Sequence, residues 1–482
     1  MINKLRSKII EKVGLDFYEL IIHSKNYLTG DVFSRGIVFL STPIFIRMLS
    51  TEEFGTISIF NSFIAFFTIL FSFGLNGAIG RFYYDNSINF KEFLGSNILF
   101  NLIWSFFLAC LTYLFSLEIS KFFKISQNLV FFGILIAFFL SFIGLLKSYL
   151  EASKQSLLFS KINVLKSLFF ISISVLLTYV FSENKVYGQV IGNVLVCFFF
   201  FLFSFFFLKK ISKLSFNFSH SKTAILFGFP IIFHLLSQFI LTSFDKIMII
   251  NLFGKEETAL YSFAFQLGLI QNIFTMAVLK SWTPVFYEKL NLKQYKDINI
   301  IIKKYSKIIY FSAFFLVIFS EEIANFLGTK SYYSSIDIIP VIVIAYVFFF
   351  FYIIYVGYSF YLKKTKFIAF FTIIAGLINI CLNYYFLPLY GYKFAAISTL
   401  ISYVFLSIFH YLYSSVIKEK ISIIKLGSLL PDFSILILTT VLFYFCIDNN
   451  FPFYVNLIIK FLFFLSFSLI LFLKGLIKYI SN

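Results

Sequence analysis

The chain has 482 residues, of which 60% are hydrophobic and 13% are charged, whereas soluble domains carry about 25% charged residues. This composition leaves too little polar surface to coat a globular protein of 56.2 kDa, so it excludes a soluble enzyme, a nucleic-acid-binding module and a disordered chain. The formal net charge of +18 comes from 40 Lys and Arg against 22 Asp and Glu, and in an integral membrane protein such an excess is typical of cytoplasmic loops.

Apolar runs dominate the chain from residue 29 onward. Residues 1–28 predict a cytoplasmic N-terminal segment, in which Ile9–Ile22 forms either a short in-plane amphipathic helix or part of a solvated leader. A helix of roughly 20 apolar residues crosses a bilayer core, so each of fourteen later runs predicts one span. The predicted spans are 29–48, 57–78, 96–116, 129–150, 162–181, 187–208, 223–250, 258–284, 302–327, 336–360, 367–387, 394–415, 429–447 and 452–473.

Lysine and arginine are distributed unevenly between alternate connections. With fourteen spans, the connections on the side of both termini carry 28 of them, and those on the opposite side carry 6. Cytoplasmic loops are enriched in these residues, so this distribution predicts that both termini are cytoplasmic. Every loop is short, and the longest, about residues 285–301, is too small for a catalytic domain. We therefore expect a protein that is not an enzyme and has no catalytic residues.

A weak internal repeat at an offset of 203–204 residues aligns, among others, Glu52 with Glu256 and Phe82 with Phe286. It predicts two six-helix lobes, 29–208 and 223–415, joined by a basic linker at 209–222 and followed by two helices and a cytoplasmic tail in 416–482. Two equally oriented lobes enclose a central cavity, the arrangement of alternating access. An accidental repeat is the alternative interpretation.

The cysteines indicate neither a disulfide framework nor a metal site. All four lie in apolar runs without metal-ligand spacing: Cys110, Cys197, Cys381 and Cys446. The chain also lacks the GxxxxGK[ST] sequence of ATP-binding loops. We therefore expect no metal, no resident cofactor and no transport driven by ATP hydrolysis in this chain.

Two predicted spans carry oppositely charged residues four positions apart. Asp31 and Arg35 can pair on one face of the first span, and Lys147 and Glu151 have the same spacing in the fourth. An ionisable group at the centre of a membrane helix costs about 2.5–3.5 kcal/mol, so such groups face a partner or a cavity.

The seventh predicted span carries a polar stripe, because its polar residues follow helical spacing: His234, Gln238, Thr242 and Asp245. Lys246 adjoins this stripe. Asp245 and Lys246 form either a structural ion pair or part of a functional site.

Three embedded cations, Arg35, Lys166 and Lys280, outweigh the unpaired acids. If they share one cavity, it favours an anionic cargo such as a phosphate or pyrophosphate head group. Near a membrane interface, long basic side chains instead extend toward water. That interpretation is favoured for Arg47, Lys147 and Lys460, and it stays open for Arg35 and Lys280.

Three segments resemble a known family. The first joins Leu49-Ser-Thr-Glu-Glu-Phe-Gly55 to Arg81-Phe82-Tyr83, the second runs from Gly228-Phe-Pro230 through Asp245-Lys246 to Trp282-Thr-Pro284, and the third contains Asn379, Asn383 and Pro388. With the fourteen-span layout, the chain resembles Wzx-type flippases of the multidrug/oligosaccharidyl-lipid/polysaccharide exporter (MOP) superfamily over most of residues 29–415. It departs from the family pattern at Lys246, where arginine is usual, and at Ala259 and Phe394, where glycine is usual.

The resemblance implies a flippase in the bacterial inner membrane. Its cargo would be an undecaprenyl-pyrophosphate-linked oligosaccharide repeat unit for O-antigen, capsule or another surface polysaccharide. Its partners would be membrane lipid and the polysaccharide polymerase machinery, and no nucleic-acid partner is expected. The implied substrate-binding residues are Arg35, Arg81, Lys166, Lys280, His234 and Gln238. Candidates for proton or sodium coupling, or for an ion pair, are Asp31, Asp245 and Lys246.

Two other functions fit the same fold. A peptidoglycan lipid-precursor flippase shares the spans and the cationic cavity. A cation-coupled multidrug exporter prefers acids in its cavity, and Asp31 favours it.

Overall fold

The computed structural model describes residues 15–362, 365–414, 423–446 and 452–480. Within these ranges the chain is almost wholly helical and contains no strand, which confirms the predicted all-α class. The chain divides into two compact units, residues 1–259 and 260–482, and the division lies inside the helix Lys255–Gly268.

The first unit begins with a long helix that joins part of the predicted N-terminal segment to the first predicted span. Positions 1–14, including the first part of Ile9–Ile22, lie outside the described residues. The helices of this unit are α1 (Leu15–Met48), α2 (Thr51–Ser72), α3 (Leu75–Phe82), α4 (Phe90–Leu114), α5 (Ser116–Phe123), α6 (Gln127–Ala152), α7 (Ser156–Val180), α8 (Lys185–Ile211), α9 (Phe218–Phe239), a π-helical segment (Ile240–Phe244), α10 (Asp245–Leu252) and the start of α11 (Lys255–Gly268).

Local sequence explains where α2 begins and ends. The Ser50 side chain accepts a hydrogen bond from the Glu53 backbone N–H, and the Glu53 carboxylate accepts one from the Ser50 N–H, which forms a capping box. The helix ends at Phe73 and Gly74, both left-handed at φ 45° and 70°. A Cβ at Gly74 would lie 2.4 Å from the carbonyl oxygen of Gly228, so only glycine allows α9 to approach here. The predicted span 57–78 is therefore divided between α2 and α3.

Helices of the first unit pack through small and aromatic side chains. α1 lies along α7, α7 along α8, and α6 contacts both α2 and α8. The core includes Leu75, Phe93 and Phe142, all fully buried. Because lipid tails are as apolar as leucine, such helix contacts depend on close packing and on hydrogen bonds rather than on hydrophobic burial.

The second unit contains the rest of α11 and eight further α-helices among the described residues. These are α12 (Ile270–Asn291), α13 (Tyr295–Ile318), α14 (Ser320–Leu327), α15 (Ile339–Tyr361), α16 (Thr365–Tyr390), α17 (Phe394–Leu412), α18 (Leu430–Cys446) and α19 (Phe453–Ile480).

A buried amide network joins α16 to α17. Ser398 Oγ donates to Asn383 Oδ1 at 2.6 Å, and Asn383 Nδ2 donates to Asn379 Oδ1 at 3.3 Å. All three residues are fully buried. Polar groups in a membrane helix need such partners because no water is available to them, so these family-like asparagines have a structural role.

Helices occupy all fourteen predicted runs. Of the described helical segments, eleven are long and apolar enough to cross a membrane, or twelve if α13 and α14, bent by 65° at their junction, form one span. α1 is not among them, and α18 is shorter, at 17 residues. The chain is therefore a multi-pass membrane protein, and the count of fourteen spans stays a prediction.

The boundary between the units differs in position from the predicted linker at 209–222. α9 begins at Phe218, inside that predicted linker, and packs with the first unit, where Phe227 contacts Phe82 with ring centroids 5.7 Å apart. The two six-helix lobes and the cavity between them stay predictions.

Candidate functional site

Charged side chains meet where α1, α6 and α7 pack together in the first unit. Asn163 on α7 donates its Nδ2 to Asp31 Oδ1 on α1 at 3.2 Å. Lys147 on α6 lies close enough to Asp31, Glu151 and Lys166 to interact with each electrostatically. We call Asp31, Lys147, Glu151 and Lys166 the charged cluster. It contains two formal positive and two formal negative charges.

Close contact between α1 and α7 positions this cluster. A Cβ on Gly30 would lie 2.4 Å from Ser160 Oγ and 2.7 Å from Ser160 Cα, so the two backbones approach as closely as glycine allows. One turn further along, Ser34 Oγ and Ser167 Oγ are 2.5 Å apart and share a hydrogen bond. Small residues at a membrane helix interface permit this approach, and it holds Asp31 opposite Asn163.

The other side of the cluster is fixed by α6. Tyr27 on α1 donates its hydroxyl to the carbonyl oxygens of Leu150 and Glu151, at 3.3 and 3.4 Å. The Lys147 ammonium lies 5.9 Å from the centroid of the Phe159 ring, a cation–π distance. Lys147 is half-buried, so the interpretation that it extends toward water stays open.

The formal charges of the four residues in the cluster sum to zero. Each of its ions would be costly alone among apolar helices, and adjacent opposite charges offset that cost. Protonation of Asp31 would leave a local excess of positive charge. Such a site can release or take up a proton or a small cation, or it can attract an anionic group when the carboxylate is neutralised.

Arg35 and Arg81, the two arginines predicted to bind substrate, are both exposed. Arg35 follows Asp31 by one turn of α1. Arg81 lies at the end of α3, close enough to Asp85 to interact with it electrostatically. The Ser87 hydroxyl and backbone N–H donate to Asp85 at 2.6 and 3.0 Å, and these hydrogen bonds, with Arg81, hold the pKa of that carboxyl below its ordinary value.

A π-helical segment interrupts the predicted polar stripe. Ile240–Phe244 forms i→i+5 turns between α9 and α10, which shifts Asp245 relative to His234 and Gln238. Asp245 is buried at 1% exposure, and it interacts electrostatically with Lys246. The prediction of one continuous α-helical stripe was therefore wrong. π-turns inside α-helices are frequent at functional sites.

His234 and Gln238 lie before this break and are half-buried. His234 Nδ1 is buried and has no hydrogen-bond partner among the described residues. Such an imidazole nitrogen can accept or donate a hydrogen bond to a ligand.

Lys280 lies on α12 in the second unit and is exposed. Lys166 and Arg35 belong to the first unit. A single cationic cavity containing all three therefore stays a prediction.

The structure adds an ion-pair site that was not predicted. Lys460 on α19 donates to Glu322 at 2.6 Å and to Glu321 at 3.2 Å, both on α14. Its side chain is only 3% exposed, so the prediction that it extends toward water was wrong. The adjacent acids in an apolar run were the available signal, but their partner is 138 residues away in sequence.

Solved structures show the fold of the chain. The chain is similar to the lipid II flippase MurJ in an inward closed conformation, with a TM-score of 0.73 and 20% identity, covering 94% of this chain and 99% of that one. It is also similar to an inward-facing multidrug resistance MATE family transporter of the MOP superfamily, with a TM-score of 0.63 and 14% identity, covering 79% and 93%. The fold is that of a MOP-superfamily membrane transporter.

Sequence comparison gives the family. Residues 26–289 match the family described as polysaccharide biosynthesis protein, and residues 230–385 match the MatE family. A protein of the Lsg locus of Haemophilus influenzae is 25% identical over 375 residues, covering 73% of this chain and 88% of that relative. The chain belongs to the polysaccharide biosynthesis protein family, and its predicted place in the MOP superfamily is confirmed. These families and folds are those of transporters rather than enzymes.

Proposed function

We propose that this protein is a flippase that moves undecaprenyl-pyrophosphate-linked oligosaccharide repeat units across the bacterial inner membrane by alternating access. The repeat units would supply O-antigen, capsule or another surface polysaccharide. The observation that carries the proposal is the charged cluster, which lies among apolar helices within the region that matches the polysaccharide biosynthesis family.

The cluster suits a pyrophosphate head group. Lysine ammonium groups make charge-assisted hydrogen bonds to phosphate oxygens, and Lys147 and Lys166 lie close together. Arg35, Arg81 and Lys280 would add positive charge along the path. His234, through its unpartnered Nδ1, and Gln238 would contact sugar hydroxyls.

Asp31 would couple transport to a proton or a sodium ion. With Asp31 ionised, the two acids and two lysines of the cluster balance in charge, and Lys147 interacts with Asp31 and Glu151. When Asp31 is neutralised, Lys147 and Lys166 become available to the anionic head group. Asp245 beside Lys246 is the second coupling candidate, although a structural ion pair there is an equal alternative.

The distribution of lysine and arginine supports an orientation with both termini in the cytoplasm. In that orientation the protein would receive its cargo from the cytoplasmic leaflet and deliver it to the polysaccharide polymerase machinery outside. It would act on lipid and glycan, with no nucleic acid as partner.

Purified full-length protein in liposomes tests the proposal. The vesicles would contain a fluorescent short-chain polyprenyl-pyrophosphate-linked disaccharide, and a membrane-impermeant quencher would report its leaflet. We expect protein-dependent movement between leaflets that the Asp31→Asn variant loses. Movement no faster than in vesicles without protein would contradict the proposal.

A peptidoglycan lipid-precursor flippase is the second candidate, favoured by the likeness to the lipid II flippase over 94% of the chain. Depletion of the protein separates the two. Lysis with loss of peptidoglycan synthesis would indicate the second candidate, whereas viable cells without surface polysaccharide would indicate the first.

A cation-coupled multidrug exporter is favoured by the MatE match over residues 230–385. Increased drug susceptibility of a deletion strain, with unchanged surface polysaccharide, would support this third function.

A further inference from the structure

A large groove lies in the first unit, apart from the charged cluster. Its volume is about 820 Å³, and it is formed by the end of α4, the start of α6 and the start of α8. Binding clefts for small molecules have volumes of about 300–1,000 Å³ and combine aromatic walls with a few polar groups. This groove has both features.

Aromatic rings form the walls of the groove: Tyr113, Phe131, Phe132, Phe181 and Tyr187. Two of them are held in place by the protein. The Tyr187 hydroxyl is hydrogen-bonded to Ser126 Oγ at 3.1 Å, and its ring packs edge-on against Phe132. Phe131 is 47% exposed, so its ring is available to a ligand.

Neutral polar side chains lie between these rings: Ser116, Gln127, Asn128 and Asn184. Within the described part of the chain, none of the three amide side chains forms a hydrogen bond to protein. Asn184 precedes α8 but does not cap it with its side chain. No charged side chain lines the groove among the described residues.

We propose that this groove binds uncharged sugar units of a glycan, in addition to any site for the head group. A sugar ring has an apolar face that can stack on an aromatic ring and hydroxyls that donate and accept hydrogen bonds. Amide side chains supply both donors and acceptors. The absence of charge in the described lining makes a pyrophosphate or a sugar acid a poor ligand here.

The inference rests on the proposed function, since the glycan is taken to be that of the lipid-linked cargo. In the predicted topology, the connections near residues 116–129 and 181–187 lie on the side away from the termini. The groove would therefore hold the sugars after they have crossed, while the lipid stays in the membrane. An aromatic belt at the membrane interface also supplies rings, so a test must distinguish bound sugar from bound lipid.

Photo-crosslinking in cells tests this inference with the native glycolipid, whatever its sugars. A benzoylphenylalanine would be placed at position 128 in the groove and, as the control, at position 199, where Phe199 is 61% exposed on α8 and does not line the groove. Cells would be grown with a radiolabelled sugar precursor. We expect a labelled adduct at position 128, absent at 199 and absent in a strain that cannot build the repeat unit.

Replacing the Asn128 amide tests the groove inference without a bulky probe at position 128. With the photo-reactive residue at position 131, Asn128→Ala should lower the yield of the labelled adduct about fivefold, the effect of one lost hydrogen bond. Phospholipid adducts alone at both 128 and 131 would overturn the inference and leave only an interfacial aromatic belt.

Different results would contradict the groove and the proposed function. If a deletion strain accumulates lipid-linked repeat units but position 128 captures no sugar, only the groove is wrong. If the deletion strain accumulates no lipid-linked repeat units and keeps its surface polysaccharide, the proposed function is wrong, and the groove inference that rests on it is wrong too.

Discussion

Asn163 and Asp31 join α7 to α1 by a hydrogen bond of 3.2 Å between side chains. The same carboxylate interacts with Lys147 on α6. Asp31 on α1 therefore has partners on both α6 and α7, and its negative charge contributes to the charge balance of the cluster.

Replacing Asp31 with asparagine should lower transport without unfolding the protein. Asp31→Asn keeps an oxygen that accepts from Asn163 but removes the negative charge beside Lys147. Coupling free energies are typically 1–3 kcal/mol, so we expect surface polysaccharide to fall about 5- to 150-fold. Surface glycan and the amount of membrane-inserted protein would be measured together.

Glu288→Gln is the matched control, because Glu288 is exposed on α12 and belongs to neither the charged cluster nor the proposed substrate-binding residues. It should leave export unchanged. Wild-type export by Asp31→Asn would show that the acid has only a structural role.

Gly30 and Gly36 on α1 should respond oppositely to alanine. Gly30→Ala places a Cβ against the Ser160 backbone, whereas nothing lies within 4 Å of a Cβ at Gly36. Overpacking of this kind costs about 1–3 kcal/mol, while alanine in place of a helical glycine is neutral or stabilising by about 0.5–1 kcal/mol. Thermal unfolding in detergent, followed by size-exclusion chromatography, would measure both. Equal stability of the two variants would mean that α1 and α7 do not pack as described.

The cationic residues Arg35 and Lys280 should each be needed for export. Arg35→Ala and Lys280→Ala should insert normally but lose surface polysaccharide, because each removes an attraction for the anionic head group. Lys213→Ala is the control, since Lys213 pairs with Glu92 at 2.8 Å in an exposed connection. Wild-type polysaccharide levels in both Arg35→Ala and Lys280→Ala would rule out the cationic cavity.

The ion pairs of Lys460 should stabilise the second unit. Lys460→Ala leaves two carboxylates on α14 without their shared cation. We expect a loss on the order of 2 kcal/mol, less than the roughly 3–5 kcal/mol of a fully buried pair, because Glu321 is 58% exposed. The unfolding temperature of purified protein would report it.

Lys393→Ala removes the exposed pair with Asp337, whose Nζ–Oδ2 distance is 2.6 Å. Exposed pairs contribute about 0–1 kcal/mol, so this control should change the unfolding temperature less. An equal or smaller effect of Lys460→Ala would contradict the assignment.

Hydrophobic runs located the helices well because membrane helices must satisfy their backbone internally and be apolar over a fixed length. Helix breaks were harder to predict. The left-handed turn at Phe73–Gly74 and the π-helical segment before Asp245 lie within apolar sequence, where a hydropathy window gives no signal. The first break coincides with a close approach of another helix, that of Gly228 to Gly74.

The candidate site was predicted in part. Helical spacing identified Asp31 and its neighbours as embedded charges, but spacing fixes only which residues share one helix face. It could not show that Asn163 donates to Asp31, or that Lys147 lies close to the same carboxylate. Those contacts join residues more than 100 positions apart, which one sequence without tertiary information does not define.

The most direct test of the account is the pool of undecaprenyl-linked sugars, measured with the surface glycan, in a strain that lacks this protein. If the protein is this flippase, repeat units accumulate on their lipid carrier inside the cell while surface polysaccharide disappears, and the stalled glycan identifies the cargo. Unchanged surface glycan with no accumulated repeat units would contradict it.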